Sequence, residues 1–87
     1  MKIKENYMLR KVADTFVVVP IGAAVNEFNG MINLNSVGAF LWNTMEKEIS
    51  FEEILDTMLK EYEVDRTTAE NDLKKFILNL EEANLLE

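Results

Sequence analysis

Two periodicities divide the chain. Up to about Leu34 the apolar residues form short β-branched or aromatic runs; from Val37 onward they recur every three or four positions. Thr15-Phe16-Val17-Val18-Val19 reads as a strand that Pro20 stops. Tyr7–Val12 is its expected partner, joined by a short turn at Ala13-Asp14. After a turn containing Gly22, Ala23–Phe28 reads as a further strand. Asn29-Gly30 then suits a tight hairpin, whose central residues need positive φ. Met31-Ile32-Asn33-Leu34 returns as a strand, with Ile32 and Leu34 on one face and Met31 and Asn33 on the other. Ile32 and Leu34 are expected to face the helices.

Three helices follow. Asn35-Ser36 can cap the first, whose apolar face carries Val37, Phe40, Leu41 and Met45. Trp42 lies just off that face and reads as a core or core-rim packer. Ser50-Phe51-Glu52-Glu53 has the form of a capping box, and Phe51, Ile54, Leu55, Met58, Leu59 and Tyr62 form the stripe behind it. Asp65 and Thr67 are candidate caps for the third helix. It aligns Ala69, Leu73, Phe76, Ile77 and Leu80, with Glu70 and Lys74 as a supporting pair. Leu85-Leu86 is expected to fold back on the core. The order predicts an α+β domain: a small antiparallel sheet of three to four strands, then three helices, in a winged helix-turn-helix-like arrangement.

Composition narrows the chemistry. The 87 residues fit one domain, and 48% of them are hydrophobic, enough for a core. Cysteine and histidine are both absent, which removes disulfides, thiolate metal sites and the usual general base. The two serines, Ser36 and Ser50, read as helix caps. Gly22, Gly30 and Gly38 are too dispersed for a phosphate-binding loop. The acids Glu46, Glu48, Glu52, Glu53 and Asp56 read as a solvated surface with no calcium-loop pattern. No enzyme, cofactor or metal site is therefore expected. The apolar runs are too short for a membrane span or a signal peptide, so a cytoplasmic protein is expected.

The net charge of −7 is uneven. Residues 36–87 hold five basic and thirteen acidic residues, a net −8, whereas residues 1–35 sum to +1. The helical half should repel nucleic acid and anionic lipid. A groove-reading third helix should be basic, yet from Asp65 to Glu82 the sum is −2, which argues against a transcription regulator. Met31–Leu34 contains neither charge nor proline, the usual guards of an exposed edge, whereas Tyr7–Val12 has Arg10 and Lys11. At an edge, Met31–Leu34 would accept a strand from a partner peptide; in the middle of a sheet or under a helix it would not. These residues alone leave both open.

The segment Met31-Ile32-Asn33-Leu34-Asn35-Ser36-Val37-Gly38-Ala39-Phe40-Leu41-Trp42 resembles the Leu-Asn-x-x-(Gly/Ala)-x-x-(Ile/Leu)-Trp signature of PqqD-like proteins. Ser50–Ile54, Glu61–Asp65 and Leu80–Leu86 continue the likeness, which covers about residues 15–87 and leaves residues 1–14, with the Tyr7 strand, as an N-terminal extension of a single 1–87 domain. The resemblance implies a non-catalytic peptide chaperone, a RiPP recognition element. Such a protein binds the leader of a ribosomally made precursor and presents it to a modifying enzyme, often of the radical S-adenosylmethionine (SAM) type. It implies that the leader adds as a strand beside Met31, Ile32, Asn33 and Leu34 and lies against the third helix. There Asp72, Lys75, Phe76, Asn79 and Leu80 are the candidate peptide-binding residues. Leu73 and Ile77 read rather as core, and Phe76 and Leu80 border both core and groove. Nucleic acid and membrane are not expected partners; the alternatives are a winged-helix transcription regulator on the same fold and a structural subunit whose bare edge pairs with itself, as a homodimer.

Overall fold

A computed structural model describes residues 1–26 and 32–87. Strands β1 (Tyr7–Val12) and β2 (Thr15–Pro20) form an antiparallel hairpin in which Val12 faces Thr15 across Ala13 and Asp14. Strand β3 (Ile32–Leu34) pairs antiparallel with β2, placing Leu34 opposite Phe16 and Ile32 opposite Val18. The sheet order is β1-β2-β3, so β3 lies at an edge. Ile32 and Leu34 are half-buried against the core and Asn33 is exposed, as the alternation predicts.

The strand expected over Ala23–Phe28 is corrected in its described part: Gly22–Asn26 is a 3-10 helix. Gly22 turns the chain at a φ of 56°, which a residue without Cβ adopts freely, and the Ala24 N–H donates to the Ile21 carbonyl at 3.2 Å. The following Ala23-Ala24 has little strand preference to resist the turn. Glu27, Phe28, Asn29-Gly30 and Met31, the remaining residues of the expected hairpin, lie outside the described residues.

Three α-helices complete the chain: α1 (Ser36–Thr44), α2 (Phe51–Glu61) and α3 (Arg66–Glu82). Each starts on its predicted cap. The Gly38 N–H donates to Asn35 Oδ1 at 2.8 Å, Ser50 and Glu53 form the reciprocal capping box, and the Thr68 N–H donates to Asp65 Oδ1 at 2.7 Å. Thr67 lies inside α3, so Asp65 alone is the cap. An ion pair of 2.8 Å from Arg66 to Glu52 ties the start of α3 to the start of α2, and Lys74 meets Glu70 at 3.2 Å.

The end of α3 is fixed by backbone chemistry. Asn84 takes a φ of 58°, the Leu85 N–H donates to the Leu80 carbonyl at 2.9 Å, and the Asn84 N–H donates to the Glu81 carbonyl at 3.0 Å. This is a Schellman motif, with Leu80 and Leu85 at the two positions that usually carry its apolar pair. Both are buried in the core with Leu41, Trp42, Met45, Ile54, Leu55 and Leu73. The chain start joins this core through Ile3, which bridges Leu86 and donates its N–H to the Met45 carbonyl.

Candidate functional site

The outer edge of β3 has no strand beside it among the described residues. An edge strand keeps unpaired N–H and C=O groups along one side. Both described edges differ in guard: β1 carries Arg10 and Lys11, and Ile32–Leu34 carries no charge.

Beside β3, an open cleft of about 290 Å³ lies between α1 and α3. Asn35, Val37, Gly38 and Leu41 line it from the α1 side; Asp72, Lys75, Phe76 and Asn79 line it from α3. Leu41, only 1% exposed, makes its apolar floor with Val37 and Phe76. On α3 the lining residues fall three or four apart, which puts them on one stripe. The core stripe of Ala69, Leu73 and Leu80 adjoins it, each of the three buried. Gly38 brings α1 close to the strand: a Cβ there would stand 3.3 Å from Leu34 Cβ. The cleft thus begins where β3 runs into α1 through Leu34 and Asn35.

Four of the sequence-predicted residues, Asp72, Lys75, Phe76 and Asn79, meet in this cleft. Leu80 does not line it. At 3% exposure it belongs to the core, at the start of the Schellman turn that ends α3. Leu73 is fully buried and Ile77 packs on the core. Ile32, Asn33 and Leu34 form the neighbouring edge, and Met31 lies outside the described residues. The α1 wall of Asn35, Val37, Gly38 and Leu41 is absent from the sequence prediction. The spacing of Val37 and Leu41 was visible, but a core stripe and a cleft floor share the same helical period.

Asp72 and Lys75 are the charged groups among the cleft's lining residues. Shifted carboxylates occur elsewhere. The Ser50 N–H holds Glu53 below its ordinary value, and the Thr68 N–H does the same for Asp65. Both serve helix caps rather than the cleft. Among the described residues no group of three acidic side chains is placed to hold a metal ion, and no helix is long and apolar enough to cross a membrane.

An edge strand beside an apolar-floored cleft suits an extended peptide, with backbone pairing on one side and side-chain seats on the other. The family model described as Coenzyme PQQ synthesis protein D (PqqD) matches residues 14–86. The chain belongs to the PqqD family. Solved structures resemble this PqqD-family chain over nearly its full length. One, described as "TbiB1 in Complex with the TbiA(beta) Leader Peptide", is 32% identical, with a TM-score of 0.78 over 100% of this chain and 95% of that one. Another, "Lasso peptide synthetase B1 complexed with the leader peptide", is 19% identical and shares the fold, with a TM-score of 0.76 over 99% of this chain and 95% of that one. Among curated proteins none matches.

Proposed function

We propose that this PqqD-family chain is a non-catalytic adaptor that captures the leader of a ribosomally made precursor peptide and presents it to a modifying enzyme. One observation carries the reading: an uncharged strand edge, Ile32–Leu34, stands open beside an apolar-floored cleft. The 32%-identical relative holding a leader peptide supports it.

In this mechanism the leader adds as a fourth strand on β3. Backbone N–H and C=O groups of the edge supply affinity that depends little on leader sequence. Leader side chains turned toward the helices enter the cleft over Leu41, Val37 and Phe76, which sets register. An extended peptide loses conformational freedom on capture, so affinity is moderate and exchange is fast. The leader then tethers the rest of the precursor near a modifying enzyme acting in trans, of the radical SAM type, in the cytoplasm. The same bare edge can pair with a second copy, giving a homodimer that leader binding would displace.

The test is fluorescence anisotropy with labelled leader peptides, taken from precursors encoded beside this chain and from TbiA(beta). Saturable binding is expected. Along β3 successive N–H groups point to opposite sides, so either Ile32→Pro or Asn33→Pro removes an outward donor. One of these variants, still folded by circular dichroism, should lose binding. Unchanged affinity in both folded variants would overturn strand addition.

A further inference from the structure

The charges of α3 divide into paired and unpaired. Arg66 is bound to Glu52 and Lys74 to Glu70, on the helix surface away from the cleft lining. Asp72 and Lys75 face the cleft instead, and neither has an ion-pair or hydrogen-bond partner among the described residues. They do not pair with each other, although three residues apart on a helix is a pairing distance. Among the described residues the cleft therefore offers one free anion and one free cation, on residues whose backbones are about 4.5 Å apart along the helix axis. Its other lining groups are neutral.

We infer that Asp72 and Lys75 select a leader carrying a basic and an acidic side chain on its cleft-facing side, and that this pair of opposite charges fixes the leader's direction and register; the inference rests on the leader-binding reading above. Edge pairing supplies no such information, since backbone groups are alike at every position. The apolar floor sets register only coarsely, because an apolar seat favours any apolar side chain over a polar one but does not tell one apolar side chain or chain direction from another. Two opposite charges do better. A leader shifted along the strand loses both contacts, and a leader reversed end to end places like charge against like. A basic side chain near Asp72 and an acidic one near Lys75 satisfy both at once. The overall charge of −8 over residues 36–87 makes Lys75 the more discriminating of the two, because it is the place on this face where an acidic leader residue is welcome.

The experiment is a charge-reversal scan. Each acidic residue of a fluorescein-labelled leader that binds the wild-type chain is changed to Lys, and each basic residue to Glu. Every peptide is titrated against wild type, Lys75→Glu and Asp72→Lys. Lys75→Met serves as a control that keeps the apolar stem. Each reversal on the protein should weaken the parent leader by up to about fivefold, the upper end for an exposed ion pair. It should be rescued by reversal at one leader position, a different one for each protein variant. The effect should shrink as salt rises from low to physiological strength. If leaders bind but both protein variants treat every peptide as wild type does, the charge pair carries no selection and the inference falls, with leader binding intact. If no leader binds the wild-type chain, the underlying reading falls with it.

Discussion

Gly38 sits against Leu34, so closely that a Cβ on the glycine would stand 3.3 Å from Leu34 Cβ and 3.4 Å from Leu34 Cδ2. This contact couples the edge strand to α1, which forms one wall of the cleft that α3 closes on the other side. Gly38→Val would force α1 away from β3 and intrude on the cleft. It should cost about 1–3 kcal/mol of stability, as overpacking does. Gly38→Ala should be near neutral, because a helix-propensity gain of about 1 kcal/mol opposes the crowding. Urea denaturation of the two variants checks both values.

Leu80 and Phe76 separate core from cleft on the same helix. Leu80 is buried in the core, so Leu80→Ala should lose about 2–5 kcal/mol of stability. Phe76 is half-buried and lines the cleft. Phe76→Ala should lose less stability than Leu80→Ala but weaken leader binding about tenfold or more, as removal of an aromatic anchor does. Denaturation and anisotropy on both variants test the division.

The strands β1 and β2 and all three helices were legible because local chemistry fixes them. Asn35, Ser50 and Asp65 each place a side-chain oxygen where the first helical N–H groups need one, and that can be read from a few adjacent residues. The Gly22–Asn26 turn was not legible, since Val25 and the neighbouring alanines give no period and the positive φ of Gly22 decides the path. Ile3 was hidden for a similar reason: a single apolar residue between Lys2 and Lys4 carries no pattern, and its burial depends on the distant Leu86 and Met45. The α3 side of the cleft came from the family resemblance. Its α1 side was missed because Leu41 serves core and cleft at once. Edge position depends on strand order, which no local pattern encodes.

The β1–β2 turn holds a correctable strain. Ala13 adopts a φ of 56°, where its Cβ is unfavourably placed. Relief of about 1–2 kcal/mol should exceed the extra chain entropy of glycine, so Ala13→Gly should stabilise the protein by about 0.5–1 kcal/mol. A raised thermal midpoint checks it, and the substitution lies away from the cleft, so leader affinity should not change.

Acid should loosen the starts of α2 and α3 first. Glu53 and Asp65 are held below their ordinary values of 4.5 and 3.8 by backbone N–H groups that bond the ionised form. A carboxylate lowered on folding stabilises the fold above its unfolded value. That contribution fades as pH falls below about 4.5 for Glu53 and 3.8 for Asp65. Thermal midpoints measured from pH 6 to pH 3 should fall, and Glu53→Gln and Asp65→Asn should each flatten the slope.

Strand addition on β3 is the central claim, and amide-resolved NMR with hydrogen exchange tests it most directly. The labelled protein is titrated with a leader peptide from a precursor encoded beside it. Along β3, amides that point away from β2 should exchange rapidly in the free protein and become protected on binding. Chemical shifts should move at Ile32–Asn35 and along Asp72–Asn79. A leader that binds yet leaves the β3 amides unprotected, with its shifts gathered on β1 or on the outer face of α2, would contradict the account.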